Sequence, residues 1–316
     1  MELRNVGRSG LRVSVLGLGC NAFGMRCDAG ETSRIVSAAI DAGINFFDTA
    51  DSYGDGRSEE FLGKALAGKR DQLVVATKFG WPLGQGREGA SCRYIHQAVE
   101  ASLKRLGTDW IDLYQLHRPD PNTPIEETIT TLEDLRRQGK IRYYGCSNFS
   151  GLQITEAALT AKLLGAEGFI STQTEYSLLS RKAKSDLLPY LSKYGMSLLP
   201  YFPLASGLLT GKYKPGKLPE KSRLTDPNTP WLEREANRWL TPETLSLVAA
   251  LDGFAAQGGL DLLSLALAWL ASHREIASVI AGATAPEQVR TNADAVSHRL
   301  SDQQLAELES LISNIT

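Results

Sequence analysis

The chain of 316 residues predicts an α/β fold, a (β/α)8 TIM barrel in a single domain over residues 1–316. Three observations point there. Short β-rich runs alternate with longer helical patterns from one end to the other. Eight such runs follow an N-terminal hairpin signal. A parallel strand needs a crossover helix to reach its neighbour, so this rhythm favours a closed barrel. Barrels of this kind hold about 250 residues or more in one domain, so the length requires no second one.

The elements follow in order. A hairpin is predicted around Leu3 and Val13, turned by Gly7-Arg8-Ser9-Gly10. Barrel strands are predicted at 15–19, 44–47, 73–77, 111–116, 141–146, 169–173, 197–201 and 277–281. A helix over 31–42 places Ile35, Ala38, Ala39 and Ala42 on one face. Another over 93–106 does the same with Ile95, Val99, Ser102 and Leu106, and Gly107 is a ready stop. Thr241-Pro242 reads as a helix start, with proline in the first turn. Ser301 with Gln304 fits a capping box for a last helix over 301–313. Between Pro203 and Leu240, glycines and prolines recur. That stretch predicts a long irregular loop after the seventh strand, lying over the barrel mouth.

Bulk properties narrow the classes of function. Hydrophobic residues make up 42% and charged residues 22%, enough for a large core. The net charge of −2 gives no basic surface for nucleic acid, so no nucleic-acid partner is expected. Apolar runs fall short of the roughly 20 residues of a membrane span. Residues 1–7 lack a signal-peptide core, so a cytoplasmic protein with no membrane partner is expected. Cys20, Cys27, Cys92 and Cys146 are scattered without a Cys-x-x-Cys pair. Reduced thiols and no metal site are therefore expected.

Four residues carry the chemistry. Asp48 and Tyr53 follow the second strand, Lys78 closes the third, and His117 closes the fourth. Singly, Asp48 reads as a helix cap, Tyr53 as a half-buried aromatic, Lys78 as a solvated charge and His117 as a structural histidine. Jointly, three successive strands deliver titratable groups to the face where barrel strands converge. A free phenol has a pKa near ~10, and an adjacent ammonium lowers it. Asp48 would hold Lys78 charged, and His117 would orient a carbonyl oxygen. No side chain donates hydride, so a nicotinamide cofactor is required.

At these residues the chain resembles a known family. Asp48-Thr49-Ala50-Asp51-Ser52-Tyr53-Gly54, with Glu59 and Leu62-Gly63, is similar to the signature of the aldo-keto reductases. Ile141 to Phe149 resembles that family's strand-five motif, and Gln173-Thr174-Glu175-Tyr176-Ser177 its strand-six motif. The resemblance covers nearly the whole chain. It implies a catalytic tetrad of Asp48, Tyr53, Lys78 and His117. It also implies a dinucleotide site, with Ser147, Asn148 and Gln173 on the carboxamide and Tyr201 stacked on the nicotinamide. Leu204, Gly207, Leu209, Gly211 and Lys212 resemble the loop that wraps the pyrophosphate, and Arg223 an adenine-side arginine. Gly282, Thr284, Gln288 and Asn292 match the adenosine-phosphate side, where a helix N-terminus would meet phosphate.

Here the chain departs from many members. Ala283 and Thr284 stand where relatives place a base against the 2′-phosphate, and Thr291 where several carry Glu. Arg223, Lys212 or Arg290 would compensate. NADPH is the expected cofactor, with NADH still possible. A small-molecule carbonyl or alcohol is the expected partner. Phe23, Trp81, Arg118 and Trp231 are the candidate substrate walls. The short run after Asn292 predicts that the long substrate loop of some members is lacking. The alternative implied by the same resemblance is an NADP-binding, redox-sensing regulatory subunit with little turnover. A Schiff-base lyase using Lys78 is a weaker rival. Monomer and homo-oligomer both remain open.

Overall fold

Residues Leu3–Asn5 (β1) and Arg12–Ser14 (β2) pair antiparallel, Leu3 opposite Ser14 and Asn5 opposite Arg12. This is the expected hairpin. It sits under a sheet of eight strands: Leu16–Gly19 (β3), Phe46–Asp48 (β4), Val74–Phe79 (β5), Ile111–Leu116 (β6), Ile141–Ser147 (β7), Ser171–Glu175 (β8), Ser197–Tyr201 (β9) and Val279–Gly282 (β10). All neighbours run parallel in the order β10-β3-β4-β5-β6-β7-β8-β9. Two backbone bonds then join β9 to the run before β10. Leu198 N–H donates to Glu275 (2.7 Å) and Ala277 N–H to Leu198 (3.2 Å). The sheet thus closes into the barrel predicted from the alternation. This computed structural model describes all residues except 85, 214–217, 221, 223, 227–231 and 316.

Barrel strands are covered on both faces, which is why they read as near-continuous apolar runs. Every residue of β6 is buried. Alternate residues point inward. At the bottom, Phe46, Ala76, Leu113, Leu199 and Ile280 form one cluster with Val6, Leu11 and Val13 of the hairpin region. The hairpin therefore plugs the barrel floor. Gly17 is required in that layer. A Cβ there would lie 2.8 Å from Ile280 Cδ1 and 2.9 Å from Phe46 Cδ1.

Local signals hold for the helices. Ala29–Asp41 opens with a capping box of Asp28 and Glu31, two residues before the predicted start. Cys92–Leu106 ends at Gly107 in the left-handed region, φ 63°. Thr241 caps Pro242–Gln257, and Ser301 and Gln304 exchange hydrogen bonds ahead of Asp302–Ile315.

Several expectations are corrected. β4 runs Phe46–Asp48 rather than 44–47. β8 begins at Ser171 rather than 169, and β10 at Val279 rather than 277. Phe169 and Ile170 are buried just before the strand, and Ile170 already bonds to both neighbours, its N–H donating to the Tyr144 carbonyl (3.1 Å) and its carbonyl accepting from the Ser197 N–H (3.1 Å). The stretch 203–240 is not wholly irregular. Among its described residues are a 3-10 turn, Ala205–Thr210, and a helix, Leu232–Trp239. Among the described residues, no single helix is long and apolar enough to cross a membrane.

Candidate active site

Inward residues of the upper layer meet at the C-terminal mouth. Asp48 ends β4, Lys78 lies one residue before the end of β5, and Gln115 pairs with Lys78 across the ladder on β6. Lys78 is fully buried. Its ammonium donates to Asp48 Oδ2 (2.7 Å), to the carbonyl of Thr49 (2.8 Å) and to Tyr53 Oη (3.4 Å). Asp48 Oδ1 accepts from the side-chain amides of Gln115 (3.2 Å) and Gln173 (2.9 Å). A buried ion pair needs such additional donors, because water no longer satisfies the carboxylate. Asp48 is thus not a helix cap.

Tyr53 opens a short 3-10 turn, Tyr53–Gly56, whose backbone is left-handed at Gly54 and Asp55. A Cβ on Gly54 would press on the carbonyl of Phe23 at 3.0 Å, so glycine lets the first and second loops close on each other. His117 follows β6, its backbone N–H donating to Phe79 (2.8 Å). Its ring stands edge-on to Tyr53, with centroids 5.9 Å apart. Its Nδ1 is buried without a hydrogen-bond partner.

Electrostatics correct one expectation. The Tyr53 pKa is raised, because burial of the phenol outweighs the lowering by Lys78. Burial also pushes the Lys78 ammonium down, but Asp48 and Tyr53 outweigh it and its pKa ends above the ordinary value. Burial first, and then the Lys78 and Arg118 charges, drive His117 down to about 3. The imidazole is therefore neutral at any working pH.

The residues assigned to a dinucleotide border this cluster. Ser147, inward at the end of β7, is buried, and its hydroxyl donates to the Gln173 carbonyl (2.9 Å). Asn148 holds φ 62°. Its amide donates to the His117 carbonyl (3.0 Å), and its Oδ1 accepts from the Tyr201 hydroxyl (2.9 Å). Gln173 is buried and also spends its amide nitrogen on Asp48, a second task beyond the one implied. After β9 the backbone is left-handed at Phe202, Ala205, Ser206 and Gly207, and again at Gly211. A Cβ on Gly207 would lie 3.1 Å from Lys212 Nζ. Glycine thus leaves a small hollow beside a cation, which suits a phosphate. Leu204 is half-buried and Leu209 wholly buried, so the latter acts by packing. Gly282 is exposed at the end of β10. Thr284 donates through N–H and hydroxyl to Gln288 Oε1 (2.8 and 3.3 Å), at the start of helix Pro286–Ala295. Asn292 is buried in that helix. A helix N-terminus, a lysine beside a glycine hollow and a polar Ser–Asn pair fit a dinucleotide.

The substrate residues divide. Trp81 is 44% exposed; its ring lies 5.1 Å from His117 and 5.7 Å from the Arg118 guanidinium. Phe23 is wholly buried in the main core, so it is no open wall of the mouth. Trp231 and Arg223 lie outside the described residues. Gln115 is a further member of the site that the sequence pattern does not single out; its signal is an amide in an apolar strand, two residues before His117, and it is fully buried. Asp51 lies within the signature segment, but the sequence pattern gives it no role. It is buried with Oδ1 unpartnered, and its pKa rises to about 7 through burial and then the Glu59 charge.

Comparison with known proteins agrees with this geometry. Residues 15–313 match the model of the Aldo/keto reductase family. A probable voltage-gated potassium channel subunit beta of Oryza sativa subsp. japonica is 43% identical over 303 residues, covering 94% of this chain and 91% of that one. A protein of the same description from Arabidopsis thaliana is 40% identical over 302 residues, with 94% and 91% covered. A barrel whose upper layer joins Asp48, Tyr53, Lys78 and His117, matched along nearly its whole length, belongs to the aldo/keto reductase family.

Proposed function

We propose that this chain is an NADPH-dependent oxidoreductase that reduces an aldehyde or ketone, or oxidises the matching alcohol. The observation that carries the reading is the Lys78 ammonium, buried on Asp48 and 3.4 Å from the Tyr53 hydroxyl, opposite a neutral His117. When bound, the nicotinamide supplies the hydride. The chain supplies the rest. Tyr53 donates its proton to the carbonyl oxygen as negative charge develops there. In a dry site the resting phenol holds that proton, and Lys78 stabilises the phenolate left behind. Asp48 keeps Lys78 charged, and the Gln115 and Gln173 amides keep Asp48 aimed at it. His117 presents a neutral ring to the carbonyl oxygen and orients it. A lysine held this firmly in its charged form is a poor Schiff-base nucleophile, which disfavours the lyase rival.

The relatives are named as probable channel beta subunits, which favours a second reading of this chain as a regulatory subunit; in that reading the same site would hold NADP with little turnover. A fluorescence titration with NADPH and NADH, followed by absorbance assays against aldehydes, ketones and sugars, separates the two. Tight binding with substrate-dependent oxidation supports the reductase. Tight binding without turnover supports the regulatory subunit. Binding of neither nucleotide overturns both. Tyr53→Phe is expected to lose at least about 100-fold in turnover, the usual scale of a proton donor. Its nucleotide affinity should stay within about twofold. Wild-type turnover in that variant would sink the reductase assignment.

A further inference from the structure

Arg118 stands one residue beyond His117, after β6, and Trp81 follows β5. Trp81 is 44% exposed, and its ring is bracketed by the other two side chains. The His117 ring lies 5.1 Å from it and the Arg118 guanidinium 5.7 Å. Those two legs bound the distance from imidazole to guanidinium, so one small molecule can touch both. β5 and β6 lie across the closed strand order from β9 and β10, which carry the residues fitted to the nucleotide phosphates. Arg118 therefore belongs to the substrate end of the mouth.

An exposed arginine is ordinarily a solvated charge. Three features set this one apart. Its guanidinium lies over the Trp81 ring, within the range where an aromatic face attracts a cation. That contact spends no N–H, so the fork that can pair with two oxygens at once is left free. Arg118 is also without an ion pair or side-chain hydrogen bond among the described residues. Asp120, whose carboxylate feels the Arg118 charge, accepts instead from the Ala90 N–H (2.8 Å), the Asn122 N–H (2.9 Å) and the Thr123 hydroxyl (2.7 Å). By contrast, Lys78 is held by Asp48 and Arg238 by Glu175, each at 2.7 Å. Finally, the Arg118 charge is felt at the reacting end. After burial and Lys78, it is the remaining cause of the lowered His117 pKa.

We propose that the carbonyl substrate carries a carboxylate, which Arg118, steadied by Trp81, binds while His117 orients the carbonyl. Such a substrate presupposes the reductase reading of the site and narrows it to aldehyde or ketone acids. The two ends are separated by no more than an aromatic ring or a few carbons, because both must reach side chains that flank one indole. A single guanidinium matches the single charge and planar edge of a carboxylate, whereas a phosphate monoester brings nearly two charges. Because Arg118 is exposed, the pair adds selectivity more than raw affinity.

Two benzaldehydes of matched shape test it: para-carboxybenzaldehyde, and para-nitrobenzaldehyde, which is uncharged. The readout is the ratio of their kcat/KM values with NADPH, in wild type and in Arg118→Leu, Arg118→Lys and Arg118→Glu. Whatever a substitution does to folding or to the tetrad is common to both substrates and cancels in the ratio. Arg118→Leu should lower the acid-to-nitro ratio about tenfold, the scale of one charge-assisted pair partly open to water. The loss should sit in the KM of the acid, because the pair forms in the ground state and persists in the transition state. Arg118→Lys should keep part of the ratio, and Arg118→Glu should fall below Arg118→Leu through like-charge repulsion. A ratio unmoved in Arg118→Leu and Arg118→Glu would overturn the proposal. Failure of the reductase reading looks different, since neither aldehyde is then reduced by any form of the protein. Calorimetry decides in that case, comparing para-(hydroxymethyl)benzoate with para-(hydroxymethyl)benzamide on NADPH-loaded protein, or on the bare protein if NADPH does not bind. A preference for the benzoate that disappears in Arg118→Leu supports Arg118 as the anion site. Equal binding of the two, binding of neither, or a preference that survives Arg118→Leu overturns it.

Discussion

At the residue scale, the buried acids divide the labour. Asp48 is surrounded by donors, while Asp51, three residues on, has one unpartnered oxygen and a weak 3.5 Å contact from the Tyr94 hydroxyl. Arg105, whose charge acts on Asp51 in the opposite direction, is already bound to Glu59 at 2.6 Å. Burial and Glu59 therefore raise the Asp51 pKa from 3.8 to about 7. The native state holds this proton more tightly than the unfolded chain does. Stability from Asp51 is thus complete below about pH 4 and is lost as pH rises through 7. Asp51→Asn should raise the melting temperature by about 4 °C at pH 8, for a gain of about 2 kcal/mol, and by little at pH 5. Equal shifts at both values would refute this account. His117 gives the opposite kind of test. With its pKa near 3, the pH profile of carbonyl reduction should be flat through 5.5–7.5, with no limb at the ordinary histidine value. The tetrad was legible because each member closes or follows a strand. The hydrogen bonds from Gln115 and Gln173 to Asp48 were not, since they span 67 and 125 residues and exist only once the barrel closes.

At the element scale, strands whose apolar run coincided with the ladder were read to the residue, as with β6 and β9. The segment after β9 was not. Its glycines and prolines predict a loop, yet helix Leu232–Trp239 forms there and holds the left-handed turn in place. Glu235, 5% exposed on that helix, accepts from the Ser206 hydroxyl (3.2 Å) and from the Trp239 indole (3.2 Å). Eight residues are too few for propensity alone to make a helix, so tertiary ties decide. Left-handed Ala205 and Ser206 cost of order 1–3 kcal/mol each and persist only where the surroundings hold them. Glu235→Ala should therefore speed hydrogen exchange of the 205–210 amides about tenfold in nucleotide-free protein. Glu235→Gln keeps an acceptor oxygen and should not. Unchanged exchange in the alanine variant would show that the turn holds itself.

At the scale of the whole molecule, the barrel interior is a gradient from stability at the floor to chemistry at the mouth, and β6 samples it at every second residue. Leu113 is buried in the lower cluster with the hairpin residues Val6, Leu11 and Val13. Gln115, one layer up, reaches Asp48. His117, one layer higher, faces Tyr53. Three substitutions, two on β6 and one just beyond its end, should thus fail in three ways. Leu113→Ala opens a cavity and should cost about 3 kcal/mol of stability while leaving kcat within twofold. Gln115→Leu removes one of the donors that aim Asp48, but it also removes a buried oxygen that has no partner, so stability should change little. Its effect belongs in kcat, lowered about fivefold with KM unchanged, because the pair it steadies acts on charge that appears only in the transition state. His117→Ala should lower kcat/KM about 100-fold or more with nucleotide affinity kept. Melting curves and steady-state kinetics on the three variants decide the matter. If Leu113→Ala slows catalysis as much as Gln115→Leu does, floor and mouth are mechanically coupled and the layered account fails.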